Sequence, residues 1–409
     1  SWLQRRTLPW SGYDGWYFPP DQFFADSFAR KGPIFSTLLH GEAAVCVLGL
    51  RRGRQILAQH EGSLESPWRW IGKLFPKGHL RSLKGDEHAR YRRLLTRVVP
   101  AEPDPATLAD LRRICRTRLP QLPRTATMPD MWRVASSITT DAMLLVIYGA
   151  ERPNETWRDL DGFFRRLGPE HPVWQPTGEI AEAYRAVHDH TRQIAISGRA
   201  KGGLGRLVSD LGADVVDETV IGNVVYIVEL ARYDLAGLLR WLVKVLSDDQ
   251  ALVDRVRTGA EPELPRAIVL ETLRLHQAEG ISRFAAADLD VEGYRIPKGT
   301  FLRIALRESH RDPEAFTCPA AFVADRFVSR RPDPDAYAPF GLDRHRCIGS
   351  ELALGLGAIF VEELARGYRW RTLADGPEHR GTYFWEPSPD FAIESGQLRI
   401  ADRDVDDRP

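Results

Sequence analysis

Cys347 lies in a turn-rich loop, YAPFGLDRHRC, and is followed at once by Ile348-Gly349 and a run of helical period. A thiolate there would be backed by a helix N-terminus, which stabilises negative charge. That suits a soft anionic ligand to haem iron; the plain alternative is a loop cysteine ahead of an ordinary helix. His88 and Arg92 are four apart in LKGDEHARYRRLLTRVV, so they share one helical face. Two cations on one face suit a pair of carboxylates or phosphates, and a solvated basic helix is the alternative. Glu271 and Arg274 are three apart on one face, a spacing that surface helices also carry often.

These groups need elements to hold them. The longest apolar stretch is Asp217 to Leu246. Glu229, Arg232 and Asp234 in its middle make it too polar for a membrane span, and its length and period predict a buried helix through a large domain. Helical period also follows Gly85, fills two segments within 104–149 that end at a C-cap Gly149, and runs over 265–280 and beyond Cys347. Residues 35–50 read as a hairpin and 51–60 as a short helix. Turns at Glu292-Gly293 and Lys298-Gly299 mark short strands, and 370–400 suggests closing strands. Trp2, Trp10, Trp16 and Tyr17 suggest an arm packed on the body, with lining of a substrate channel as the alternative; Trp68 and Trp70 precede a glycine-containing loop. Residues 401–409 are charged and expected to fray.

Lysine plus arginine and aspartate plus glutamate balance at 56 each, which argues against bulk attraction to nucleic acid or to a basic-patch membrane surface. Four scattered cysteines, Cys46, Cys115, Cys318 and Cys347, form neither a zinc pattern nor a disulfide framework. A reducing, cytoplasmic compartment is the expectation, with no membrane span and no signal peptide.

The segment from Phe340 resembles the cysteine loop of the haem-thiolate enzymes, the cytochrome P450 superfamily, whose pattern is Phe-x-x-Gly-x-His/Arg-x-Cys-x-Gly. Phe340, His345, Cys347 and Gly349 fall on it, and Gly341 matches a common companion glycine. Asp343 stands where the pattern has glycine; aspartate tolerates a left-handed backbone better than most residues, and it brings an acid toward the proximal face. The resemblance runs in order along almost the whole chain. It implies a mainly α fold with a small β lobe, the cytochrome P450 fold, as a single haem-thiolate domain over 1–409 with an N-terminal arm at 1–26. It also implies one haem b, iron protoporphyrin IX, with Cys347 as axial thiolate and metal ligand. His88, Arg92, Arg283 and His345 would hold its propionates, with Arg93 as a stand-in for Arg92. Glu271, Arg274 and Arg326 would form the structural lock beside the cysteine loop, and HRDP from His310 carries further likeness. Residues 151–200 would supply lid helices over the substrate.

The long helix departs from the family. Its Ala-Gly-x-Asp/Glu-Thr pattern falls, by count from Glu218, on Glu229, Leu230, Ala231, Arg232 and Tyr233, and no Thr or Ser occurs between Glu229 and Arg240. Two catalytic readings follow. Tyr233, with Asp234 or water, relays protons to dioxygen. Alternatively, Arg232 faces the cavity and anchors a substrate carboxylate or a hydroperoxide-derived group, as in some family peroxygenases, whose following proline is absent here. Structural pairing of Arg232 is the third option, and of its acidic neighbours only Glu229 shares its face.

The implied function is haem-thiolate oxidation, such as hydroxylation, of a small apolar or aromatic molecule in bacterial secondary metabolism, antibiotic biosynthesis included. It would use O2 and electrons from ferredoxin and ferredoxin reductase, in a monomer. A peroxide-dependent peroxygenase or hydroperoxide-rearranging enzyme with Arg232 as anchor is the alternative. A non-catalytic haem-binding docking protein is a third.

Overall fold

The central helix, Glu218–Ser247, is apolar on nearly every side, and a helix of that kind has to be buried. Its open end is closed by Asp217, whose carboxylate accepts the N–H groups of Thr219 and Val220, both at 3.0 Å. These elements belong to a computed structural model that describes residues 8–9, 22–39, 41–67, 78–167, 178–277, 280–381 and 384–398. The expectations for Trp2, Trp10, Trp16, Tyr17, Trp68 and Trp70 and for 401–409 lie outside the described residues, as do 168–177 of the stretch expected to supply the lid helices.

The helix packed most extensively on the central one is Met128–Tyr148. It starts with a Thr127/Asp130 capping box and ends at Gly149, whose φ of 62° is left-handed. The Thr139 hydroxyl donates to the Arg232 carbonyl at 2.9 Å and ties the two helices together.

The His88-bearing helix, Gly85–Val98, carries Asp86 and Glu87 in its first turn, where the helix dipole favours acids. Its Tyr91 hydroxyl donates to Asp217 at 2.6 Å and fixes it to the start of the central helix. On its other side it meets Gly202–Leu211 so closely that a Cβ at Gly203 would sit 1.8 Å from the Val98 carbonyl oxygen. Only glycine permits that approach.

The expected hairpin forms as Ile34–Leu39 and Glu42–Leu48, followed by the short helix Leu50–Gln59. Phe301–Ala305 pairs parallel to the second hairpin strand, and Gly280–Ala285 and Leu64–Glu65 complete a five-stranded sheet. The C-terminal strands Tyr368–Ala374 and Ala392–Gln397 form a separate sheet with Thr125–Thr127. In the turn joining Leu289–Val291 to Tyr294–Ile296, Glu292 and Gly293 both have positive φ, as a two-residue hairpin turn requires.

One boundary differs from expectation. The helix predicted over 265–280 is α-helical only through Leu264–Thr272 and widens to a π-helix at Leu273–Gln277. The wider turn frees the Leu275 carbonyl, which accepts from Arg311 at 2.8 Å. Among the described residues no helix is long and apolar enough to cross a membrane.

Candidate active site

The cysteine loop is built by its backbone. The Cys347 N–H donates to the Phe340 carbonyl at 2.8 Å, and the Gly341 N–H donates to Ala338 at 3.1 Å. The left-handed residue is Gly341, at φ 89°. Asp343 instead opens a right-handed 3-10 turn, Asp343–His345, so the left-handed backbone that aspartate would have tolerated there is not used. The helix Ser350–Gly367 starts just beyond, and the Gly349 N–H hydrogen-bonds toward the Cys347 sulfur. Cys347 has accessible surface, yet burial is the largest influence on its thiol and raises its pKa, with the Gly349 N–H, Arg81 and Arg92 opposing. The two observations agree when the sulfur looks into an internal hollow rather than bulk water. By contrast, burial pushes Cys46 and Cys115 up to about 12, which leaves them as inert packing groups.

A cradle of cationic groups faces the same hollow. The His88 and His345 rings lie 4.5 Å apart. His88 is buried, and its Nε2 has no hydrogen-bond partner. Burial, then Arg92 and Arg344, lowers the His88 pKa to about 4. Burial, then Arg283, His88, Arg344 and Arg92, lowers that of His345 to about 3. Arg283 is brought down to about 10 by burial and by Arg81. Arg92 is lowered by burial, with the Cys347 thiolate opposing and Arg346 adding. Apart from that thiolate, every influence on these four groups is desolvation or another basic group; the two histidines are neutral near pH 7, and the standing positive charge is that of the arginines. Arg344 has an acid of its own, Glu61 at 2.6 Å. Arg93 is exposed. Crowded cations with an orphaned imidazole nitrogen fit an anionic guest with two carboxylates, and the two propionates of a haem are such a guest. Among the described residues no three His, Cys, Asp or Glu side chains gather around a bare ion. The donor set of one sulfur and a cationic cradle therefore fits an iron porphyrin.

The opposite wall is the central helix. Between Thr219 and Val243 every residue is buried except Ile227, Leu230, Ala231 and Asp234. Their spacing of three, four and seven puts them on one stripe. Asp234 is the polar member; burial raises its pKa to about 6, and Arg81 pulls the other way. Arg81 was not singled out by its sequence context. It comes from the loop ahead of the His88 helix, which Asn223 clamps to the same stripe. The Asn223 side-chain oxygen accepts the Leu80 N–H at 2.7 Å, and its nitrogen donates to Gly78 at 3.2 Å. The Arg81 guanidinium lies within electrostatic reach of Tyr226, Asp234 and Cys347, and its pKa is raised, with Tyr226 as the largest cause.

This arrangement corrects the expectation for Arg232. Two residues from Asp234 on a helix, it points to the far side. It pairs with Glu229 at 3.2 Å and lies over the Phe164 ring, buried beneath the helix Glu155–Leu167. A carboxylate anchor in the cavity is therefore excluded for Arg232. The Tyr233 ring packs between Trp132 and Phe384, with centroids at 5.3 and 5.1 Å. Of the trio Arg232, Tyr233 and Asp234, only Asp234 is on the accessible stripe.

Glu271, Arg274 and Arg326 meet behind the cysteine loop. Glu271 and Arg274 are fully buried and form a two-pronged ion pair, with both N···O distances 2.8 Å. Arg326 donates to both Glu271 oxygens at 3.1 Å. Arg274 also donates to the carbonyls of His310, Pro319 and Ala321. The His310 Nε2 in turn accepts the Ala338 N–H at 2.9 Å, so the network reaches the root of the cysteine loop. Burial, then Arg274 and Arg311, depresses the His310 pKa to about 3. The unfolded chain therefore binds the extra proton between about pH 3 and the ordinary histidine range. This group's share of the stability is whole above that range and declines as pH falls through it, by at most about 1.4 kcal/mol per pH unit. His310→Gln is expected to flatten the acid limb of a urea-stability profile between pH 4 and 6.5. An unchanged limb would show that His310 is not the titrating group.

A sequence profile for Cytochrome P450 matches residues 256–382, the span from the Glu271 helix through the cysteine loop. Among curated proteins, Abscisic acid 8'-hydroxylase 3 of Oryza sativa subsp. indica is 26% identical over 396 residues, covering 88% of this chain and 79% of that one. Abscisic acid 8'-hydroxylase 4 of Arabidopsis thaliana is 24% identical, covering 86% and 82%. Among solved structures, the retinoic acid-bound cyanobacterial CYP120A1 superposes with a TM-score of 0.75 at 20% identity, covering 96% of this chain and 98% of that one. The cytochrome P450EX alpha with myristic acid does so at 0.73 and 17%, covering 96% and 100%. At these identities the superpositions speak for the fold.

Proposed function

The chain belongs to the cytochrome P450 superfamily of haem-thiolate monooxygenases, and on that premise we propose that Cys347 supplies the axial thiolate and that the cavity hydroxylates an apolar carboxylic acid. The observation that carries this reading is the single stripe of the central helix, Ile227, Leu230, Ala231 and Asp234, turned toward the hollow that Cys347 enters. Bound there, haem supplies dioxygen activation and C–H oxidation, with sulfur donation favouring O–O cleavage.

The residues divide the remaining work. His88, Arg92, Arg283 and His345 hold the two propionates and relieve their own crowding by doing so. Ile227, Leu230 and Ala231 give the substrate an apolar bed and exclude water. Asp234, with a pKa near 6, holds a proton part of the time and can pass it inward. Tyr233 has no such position. The relatives support an acid as substrate: abscisic acid is named for the plant hydroxylases, and retinoic, myristic and arachidonic acids for the solved neighbours. We place the enzyme in the cytoplasm as one domain fed by ferredoxin and its reductase, tailoring a secondary metabolite.

One observation favours a second reading. The stripe carries no hydroxyl side chain, and the residue after Asp234 is the buried Leu235. A peroxide-driven enzyme does not need a proton relay to dioxygen. Asp234→Asn separates the two. With ferredoxin, reductase and O2, the variant is expected to lose about 10²-fold in product formation, the usual scale for a general acid, while oxygen consumption persists. Product formation driven by hydrogen peroxide is expected to stay near wild type. If the variant's O2-driven coupling equals that of the wild type, and peroxide is the better oxidant for both, the O2 reading is wrong.

A further inference from the structure

The arginines around the hollow are accounted for, with one exception. Arg92 and Arg283 belong to the cationic cradle, Arg232 pairs with Glu229, and Arg240 pairs with Glu386 at 3.2 Å. Arg81 makes no hydrogen bond and no ion pair among the described residues. It has accessible surface, yet it sits within electrostatic reach of Tyr226, Asp234, Cys347 and Arg283, which lie on three separate walls. It therefore points into the hollow, not out to bulk water. A guanidinium there brings five donors in a planar fork, with no hydrogen bond from them among the described residues.

Its position along the stripe is also fixed. The clamp on Leu80 is Asn223, one turn before Ile227 on the same face. The Arg81 backbone is thus held at the N-terminal end of the stripe; Asn223 and Asp234 are about 16 Å apart along the helix axis, and the guanidinium reaches in far enough to come within electrostatic reach of Asp234. Between Asn223 and Asp234 that face carries the apolar side chains of Ile227, Leu230 and Ala231. A cation at one end and an apolar bed beyond it match a molecule with a carboxylate head and a hydrocarbon body. Asp234 is near enough to feel Arg81, and no ion pair joins the two among the described residues.

We propose that Arg81 is the carboxylate anchor of the cavity, receiving the head of an apolar acid and laying its body along Ile227, Leu230 and Ala231. This rests on the hydroxylase reading above and adds the residue that selects the substrate class.

The test uses haem-loaded enzyme with dodecanoic acid, retinoic acid and the methyl ester of each. Binding is read by titration calorimetry and by the shift of the haem absorption. Wild type is expected to bind at least one acid about 30-fold more tightly than its ester, the scale of a charge-assisted, two-pronged contact. Arg81→Gln is expected to lose that preference through weaker acid binding, with ester affinity held within about threefold. Arg81→Lys, which keeps the charge without the fork, is expected to fall between them. The proposal is overturned if wild type prefers neither acid, if the preference survives in Arg81→Gln, or if acid and ester weaken together. It is also overturned if haem content falls while ligand preference stays, because Arg81 would then serve the propionates. Failure of the hydroxylase reading would show separately, as loss of a thiolate-type reduced carbon monoxide band in wild type.

Discussion

Cys347→Ser is expected to yield a folded protein that still takes up haem but loses the thiolate-type absorption of its reduced carbon monoxide adduct and nearly all oxidation. The fold should survive because the loop is held by backbone bonds, Cys347 N–H to Phe340 and Gly341 N–H to Ala338, and none of these uses sulfur. Haem uptake should survive in weakened form because His88, Arg92, Arg283 and His345 are untouched. Turnover should fall on the order of 10³-fold, about 4 kcal/mol of barrier at 1.36 kcal/mol per decade, since a serine oxygen is a poorer electron donor to iron than a thiolate.

The alternatives are few. Cys46 and Cys115 are buried thiols pushed up to about 12, and Cys318 is exposed in a turn at φ 50°. Retention of the thiolate-type band in Cys347→Ser would mean that another sulfur holds the iron, and the site would have to be rebuilt around it. Loss of haem with the fold intact would instead mean that the cationic cradle is too weak to hold the group without its axial bond.

The elements were legible wherever one local signal decided them. The C-cap at Gly149 and the apolar run of the central helix need no distant partner to form. The cysteine loop and the His88–Arg92 spacing were legible because each is a short pattern fixed by one turn or one helical face. What the sequence left open was rotation. Arg232, Tyr233 and Asp234 are adjacent in the chain, yet a helix sends them 100° apart, and an offset of two in matching the family pattern moved the acid from the cavity to the far side. Counted from the accessible stripe, Ala231 and Asp234 take the alanine and acid positions, and Arg232 and Leu235 take those of the glycine and the threonine. Arg81 was hidden for a different reason. It lies between Leu80 and Lys84 in a basic stretch, and only the clamp by Asn223, some 140 residues away, distinguishes it from a solvated surface arginine.

Arg274→Ala is expected to be among the most damaging single changes to stability. All five donors of the Arg274 guanidinium are used: two on Glu271, and three on the carbonyls of His310, Pro319 and Ala321. Removing the guanidinium leaves the buried His310 carbonyl and the part-buried carbonyls of Pro319 and Ala321 short of a donor, and leaves Glu271, with 0% exposure, to Arg326 and the Val323 N–H alone. Breaking a buried pair from one side costs about 3–5 kcal/mol because the remaining charge stays desolvated. Arg274→Lys should recover little, since one ammonium cannot meet five separated acceptors. Arg326→Ala should cost less, because Arg326 is partly accessible and Glu271 keeps its two-pronged partner. The damage should also be directional. Through His310 and Ala338 the network sets the root of the cysteine loop, so haem retention in Arg274→Ala should fall further than in a variant equally destabilised elsewhere, such as Leu111→Ala in the helical core. Urea unfolding and haem content, measured on both variants, decide this. A cost under about 1 kcal/mol would place Arg274 with ordinary surface pairs, and equal haem loss in the two variants would remove the link from this ion network to the sulfur loop.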